Sequence, residues 1–369
     1  MISFSPTEEQ RQVLDMVKRF AASVVRPAAR DCEEKGQIPE DLLAKFWELG
    51  LVANSIPESC GGYGYDRSAL TGALIAEELA YGDLGLALAM LSPTLFAYPV
   101  LEMGTEEQKQ KYLPGFCGER FRYATAALME PRVTFDATDL KTTAVREGGE
   151  YVLRGEKCAV PYAARADLFL VFASAAPGSG CGGIDAYLIE KGTQGLVVGE
   201  REKYMGLNAL ELYRVRLDGC RVPLANRLGG PRGCDYQRIL NLSRIAWSAM
   251  AAGVCNATKD YAANYAKERV QFGEPIASRQ AIAFMLADMA IETDAMRFLA
   301  WKAAWQADRG EDCTREAYLA KLYAGEYAAS LTNNGVQILG GHGYIREHPV
   351  ELWFRNGRAF EILDGLAIV

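Results

Sequence analysis

The residues best placed to do chemistry are an arginine, a pair of glycines and a late aspartate. Arg269 opens the run Arg269-Val-Gln-Phe-Gly-Glu-Pro-Ile276. A guanidinium can fork onto phosphate oxygens, Phe272 offers a flat apolar face, and Gly273 permits close backbone approach. Gln337-Ile-Leu-Gly-Gly341 ends a helical stretch in two glycines, Gly340 and Gly341, which allow positive φ and near contact with a bound molecule. The plainer readings are a solvated helix-end charge for Arg269 and a glycine C-cap for the pair. Asp364, in Ile362-Leu-Asp-Gly-Leu366, is a carboxylate that can accept a proton when buried, or a loop cap, as Asp-Gly pairs often are.

Composition removes several other chemistries. The chain has 369 residues, 50% of them hydrophobic, enough for a large core and two or three domains. Its net charge of -7 leaves no basic footprint for nucleic acid. Nine cysteines without any C-x-x-C pair suit reduced, mostly buried thiols. Only His342 and His348 are present, which argues against a histidine metal site, and no G-x-S-x-G elbow supports a serine hydrolase. The start, Met1-Ile-Ser-Phe-Ser-Pro-Thr7, has neither a charged leader nor an apolar signal core. No uninterrupted apolar run reaches about 18 residues. A cytoplasmic protein without metal or membrane span is the expectation.

The elements that must position these residues fall into three blocks. Pro6-Thr7-Glu8-Glu9 reads as a helix start, and Val13, Met16, Val17, Phe20 and Val24 then recur at helical spacing. Further helices fit 40–49, 68–81 and 105–112, with a Pro- and Gly-bearing loop at 56–64. Short β-branched or aromatic runs separated by glycine clusters follow, at 151–153, 168–172 and 186–189. Strands without intervening helices predict a small antiparallel barrel or sandwich. Long helical segments then cover about 235–269, 278–309 and 315–339, with a shorter one at 350–360. They read as a four-helix bundle. The fold class is α+β multidomain: a helical domain (1–120), a central β domain (121–230) and a C-terminal helical bundle (231–369).

That order, with several motifs in sequence, resembles the acyl-CoA dehydrogenase family over essentially the whole chain. The motifs are Ile56–Gly64, Gly155-Glu-Lys157, Arg221-Val-Pro-Leu-Ala-Asn-Arg-Leu-Gly229, Arg244, the 269–276 run, the 280–289 helix and the 337–351 segment. The resemblance implies FAD held between the β domain and the bundle. A carboxylate would take the α-proton of an acyl thioester while hydride leaves the β-carbon for flavin N5. It implies cofactor-binding roles for Arg269, Gln271, Phe272, Gln337, Gly340 and Gly341, often across a dimer interface. It places Leu128 and Met129 at the flavin ring and Asp364 as base. Arg244, Asn241 and Phe135 fall on the substrate side. Acyl-CoA or an acyl-carrier thioester would be the substrate, in fatty acid metabolism, with electron-transfer flavoprotein as acceptor and a homotetramer as the usual assembly.

Three stretches depart from the family pattern, and the resemblance implies that Met129, Ala159 and Pro161 cost three flavin-ring contacts in one cleft. Met129 replaces a threonine and Phe135 a serine in Leu128-Met-Glu-Pro-Arg-Val-Thr-Phe-Asp136. Ala159-Val-Pro-Tyr162 replaces a Trp-bearing strand, and Pro161 removes a backbone N–H. Asp364 replaces the usual glutamate, shortening the base by roughly 1.3–1.5 Å. Asn241 stands where an aspartate usually precedes Arg244, and a threonine after the base is Leu366. Relatives also continue into a further helix past the position of Val369. One reading is an acyl-CoA dehydrogenase using Asp364. A second is a degenerate, flavin-poor subunit that completes a partner's FAD site in a hetero-oligomer. A third is an acyl-thioester binder or a non-dehydrogenase such as an oxidase, which no residue favours positively.

Overall fold

The computed structural model describes residues 5–369; residues 1–4, part of the Met1–Thr7 stretch read above for a leader, lie outside them. Thr7 begins the first helix, α1 (Glu8–Phe20): its hydroxyl accepts the Gln10 N–H while the Gln10 side chain returns to the Thr7 N–H. This reciprocal box satisfies two donors that the helix cannot. α2 (Arg26–Lys35), α3 (Glu40–Trp47), α4 (Ala69–Gly82), α5 (Leu84–Leu91), α6 (Thr94–Met103) and α7 (Glu106–Tyr112) complete the helical block. The spacing of apolar residues does not mark α5 as a separate helix. Every residue of α5 is buried, and a helix apolar all round has no stripe to detect.

The central block is a single seven-stranded sheet: β1 (Ala124–Ala127), β2 (Thr143–Glu147), β3 (Glu150–Pro161), β4 (Leu168–Ser174), β5 (Ile184–Glu190), β6 (Leu196–Arg201) and β7 (Leu212–Pro223). Strand order is β1-β4-β2-β3-β7-β6, with β5 also on β4. The long ladders β3–β7 and β4–β5 are antiparallel, whereas β1 and β2 meet β4 in parallel. The sheet is thus mostly, not wholly, antiparallel. β3 slips register against β7 between Lys157 and Val160, and Ala159 there adopts φ 52°. Such a bulge re-aims side chains beside a functional cleft.

α8 (Tyr236–Glu268), α9 (Gln280–Asp308) and α10 (Thr314–Leu339) form the bundle, joined on one side by the short α12 (Val350–Gly357). A two-residue ladder, β8 (Val270–Gln271) with β9 (Glu274–Pro275), links α8 to α9; α11 (Gly341–Tyr344) and α13 (Ala359–Ile362) flank α12. α8 is the central post, buried continuously from Ile239 to Cys255. It starts where Asp235 accepts the Arg238 N–H at 3.0 Å. The Asp308 carboxylate at the end of α9 accepts from Ser68 Oγ and the Ala69 and Leu70 N–H groups. It caps α4 from across the molecule and satisfies donors every helix start leaves open. No single described helix is long and apolar enough to cross a membrane.

Candidate active site

Asp364 lies just after α13, which Trp247 of α8 pins in place: its indole N–H donates to Phe360 O at 3.2 Å and its ring packs on Phe360 at 4.7 Å. The carboxylate is 6% exposed and turned inward. Its Oδ2 is 4.0 Å from Arg244 Nε of α8 and 3.8 Å from Lys321 Nζ of α10. One buried anion therefore faces two cations. Arg244 is 8% exposed, its Nε has no hydrogen-bond partner among the described residues, and its guanidinium lies 5.4 Å from the centre of the Tyr318 ring. Nearby, Tyr236 donates to Ala137 O at 2.6 Å. Burial, helped by the Asp364 charge, holds that phenol well above its usual range, so it stays a donor.

The loop after β1 closes the other side. The Asp364 N–H donates to Met129 Sδ at 3.2 Å, and Met129 is 7% exposed. Gly365, at φ 74°, sits so tightly against Leu128 that a Cβ there would come within 2.5 Å of Leu128 Cδ2. Only glycine meets both demands. The loop's own shape is fixed by Glu130, which accepts from the Lys141 and Thr142 N–H groups and pairs with Lys157 Nζ at 3.1 Å. Burial works against this carboxylate, but Lys157 and the two amides outweigh it and hold Glu130 below its usual range. Lys157 also donates to Leu128 O at 2.9 Å, and the Cys158 N–H to Met129 O at 2.9 Å. At the bulge, the Ala159 N–H is taken by Glu202 Oε2 at 2.7 Å.

A second site lies at the end of α8. Arg269, Gln271, Phe272, Gly340, Gly341 and Tyr265 border a cavity of about 470 Å³. Arg269 is exposed and makes no ion pair among the described residues. A Cβ built on Gly273, Gly340 or Gly341 meets nothing within 4 Å, and Gly340 has φ 58°. An arginine without an ion pair among the described residues, lining the same cavity as open glycine backbone, fits the phosphate-bearing part of a dinucleotide. Phe272, at φ 55° and 92% exposed, stands at the rim of the cavity with the Arg279 guanidinium 5.9 Å from its ring centre. His342 borders the same cavity and is oriented by Tyr265, whose hydroxyl is 2.7 Å from Nδ1. It stacks on His348, itself 2.7 Å from the Tyr261 hydroxyl.

The fold thus gathers Asp364, Met129, Leu128 and Arg244 at one place and Arg269, Gln271, Phe272, Gly340 and Gly341 at another. Gln337 lies outside the second cavity, its carbonyl accepting the Gly340 N–H at 3.1 Å. Phe135 lies half-buried beneath Arg132. Asn241 does not engage Arg244: it accepts from Gln237 at 2.8 Å and donates to Thr314 at 3.0 Å, tying α8 to the start of α10. Sequence reasoning missed Lys321 altogether. A signal existed one turn on, at Gly325, where a Cβ would come within 3.4 Å of Glu361 Cα. A glycine inside a helix marks the side on which another backbone passes close.

Comparison with known proteins places these sites in context. Family models for the N-terminal, middle and C-terminal domains of acyl-CoA dehydrogenases match residues 7–120, 125–220 and 234–367. An acyl-CoA dehydrogenase of Bacillus subtilis (strain 168) is 37% identical over 97% of this chain and 95% of its own length. Among solved structures, butyryl-CoA dehydrogenase from Megasphaera elsdenii superposes with a TM-score of 0.88 at 32% identity, covering 100% of this chain and 96% of its own. The prolyl acyl carrier protein oxidase AnaB gives 0.85 at 30% identity, covering 99% and 96%.

Proposed function

Since the chain belongs to the acyl-CoA dehydrogenase family, a family of flavin oxidoreductases, we propose that it binds FAD and desaturates an acyl thioester between its α- and β-carbons. The observation that carries this reading is Asp364: a carboxylate turned inward, held by two cations, against the loop where the family places its flavin. FAD, when bound, supplies an acceptor for the hydrogen that leaves the β-carbon as hydride.

The chain's own residues divide the remaining work. Asp364 takes the α-proton onto a carboxylate oxygen, and Arg244 and Lys321 fix that carboxylate from the bundle side. Positioning is the larger part of such catalysis, because the two C–H bonds must meet base and acceptor on opposite faces. Glu130 and Lys157 keep the loop at 128–131 rigid beneath the reacting atoms. Arg269 holds a phosphate of the dinucleotide, with Gln271 and Phe272 beside it and Gly340 and Gly341 admitting the backbone close to it. The ring of Phe272 is 92% exposed and open to a second copy, which supports assembly as a dimer or dimer of dimers. The acyl group arrives on CoA or on a carrier protein, and an electron-transfer flavoprotein is the proposed acceptor.

A second reading, a flavin-poor subunit that completes a partner's site, is favoured by one observation. Met129, in place of a threonine, sits directly on the Asp364 N–H. The deciding experiment is the visible spectrum of the purified protein, with flavin counted per chain, followed by anaerobic titration with straight-chain acyl-CoAs. One flavin per chain, bleached by substrate, supports the enzyme. Half a flavin per chain in a complex with a second family member supports the partner subunit. A colourless protein that takes up no FAD refutes the enzyme reading, and one that also forms no complex with a flavin-bearing family member refutes both.

A further inference from the structure

A base that removes an α-proton must stand beside the thioester carbonyl, because the oxygen lies only roughly 2.4 Å from the α-carbon. Charge grows on that oxygen as the proton leaves, so a fixed N–H donor aimed at it is worth more than any contact made equally before and after. The segment carrying Asp364 has two N–H groups next to the base. The Gly365 N–H is already spent on Asp364 Oδ1 at 3.0 Å. The Asp364 N–H is the other, and it points at Met129 Sδ, 3.2 Å away. The cations contribute elsewhere, both lying nearest Oδ2.

Sulfur is a weak acceptor on a flexible, unbranched side chain. Everything around it is fixed. The Met129 carbonyl accepts the Cys158 N–H at 2.9 Å, Lys157 holds the preceding carbonyl at 2.9 Å, and Leu128 is wedged against Gly365. With the main chain so held and Met129 only 7% exposed, its displacement falls to rotation of its own χ angles. We infer that the Met129 thioether occupies the seat of the thioester oxygen in the resting protein, and that an acyl thioester binds by displacing it from the Asp364 N–H. This rests on the acyl-thioester reading above. It makes Met129 a specificity-determining residue: a ligand whose carbonyl reaches this amide recovers the hydrogen bond it breaks, and one lacking that oxygen gains nothing there.

Acetyl-CoA is a suitable probe, since it has the thioester carbonyl but no β-carbon and so binds without turning over. Free CoA lacks the oxygen and reports on the rest of the molecule. Calorimetric titration of the FAD-loaded protein compares wild type with Met129→Ala and, should that variant misfold, Met129→Leu, which keeps most of the volume and removes the acceptor. Freeing a hydrogen-bond donor of this kind is worth about three- to tenfold in affinity. Acetyl-CoA should bind about tenfold more tightly to Met129→Ala and about threefold more tightly to Met129→Leu, while CoA changes by less than twofold. An unchanged acetyl-CoA affinity, or an equal gain for CoA, overturns the inference and leaves the proposed function standing. If neither ligand binds to wild type or variant, the acyl-thioester reading has failed and the inference falls with it.

Discussion

Replacing Asp364 with asparagine is the most informative single perturbation, because it acts on rate and stability through the same atoms. The substitution keeps the shape and removes the one anion that faces Arg244 and Lys321 among the described residues, at 4.0 and 3.8 Å. A unit pair at that spacing attracts with about 4 kcal/mol at an effective dielectric of 20. Breaking a buried pair typically costs about 3–5 kcal/mol, because the partner is left charged and dry. The Lys321 side chain is 20% exposed and can turn to water, whereas that of Arg244 is 10% exposed and cannot easily do so. The net loss should be about 2–4 kcal/mol, measured by urea denaturation at pH 7. Loss of a positioned base should slow flavin reduction by about 10²–10⁴-fold, read as anaerobic bleaching in a stopped-flow instrument with saturating acyl-CoA. Asp364→Glu should retain most of the stability and restore the reach of a longer base. Reduction by the asparagine variant within threefold of wild type would remove Asp364 from the mechanism. An unchanged unfolding midpoint would show that the two cations do not depend on it.

Three further outcomes are expected. Gly365→Ala meets both a left-handed backbone and a Cβ within 2.5 Å of Leu128, so unfolding should become easier by about 2–4 kcal/mol from strain and overpacking together. A change under 0.5 kcal/mol in chemical denaturation would show that the loop and the base segment are not packed as described. Arg269→Gln removes an exposed cation with no ion pair among the described residues. It should leave the melting temperature of the FAD-free protein unchanged while weakening FAD binding by about tenfold or more, measured by flavin fluorescence; equal affinities would clear Arg269 of that role. Asp83 caps α5 through the Leu86 N–H at 3.0 Å, and burial, with the Glu33 charge adding to it, pushes its carboxyl up to about 6. The folded state then binds the proton more tightly than the unfolded one. This contribution is full below pH about 4 and is lost as pH rises through about 6. Asp83→Asn keeps a capping oxygen and should flatten that slope, gaining up to about 3 kcal/mol at pH 7; parallel stability curves for variant and wild type between pH 4 and 7 would contradict it.

Much of this architecture is legible in local pattern, and the exceptions share a cause. The long helices of the bundle announce themselves by period, and the glycines at 340 and 341 by their place after a helix. α5 does not, since uniform burial erases the contrast on which periodicity depends. Asn241 is a different case. Three residues before Arg244 on a helix, it shares a face with the arginine, and the family resemblance puts both on the substrate side. Its amide instead has better partners, one turn back in Gln237 and across the bundle in Thr314.

The chemistry of Asp364 depends on contacts of a kind that no local pattern encodes. Lys321 reaches it from another helix, and Met129 from another domain. From sequence, Met129 reads as a lost hydroxyl at the flavin ring and Asp364 as a shortened base, and nothing in the pattern links the two. In the folded chain they are one feature, because the methionine sulfur is bonded to the aspartate's own N–H. A shorter acid and a bulkier neighbour can compensate each other in volume, keeping the cleft filled and the base segment seated when no substrate is present. On that view the departures are correlated: Asp364→Glu with Met129 retained should be less well accommodated than Asp364→Glu with Met129→Thr. A double-mutant cycle on stability should therefore give a favourable coupling of about 0.5–3 kcal/mol, the range for residues in contact. Additive effects within about 0.3 kcal/mol would mean that the two substitutions arose independently and that their contact is incidental.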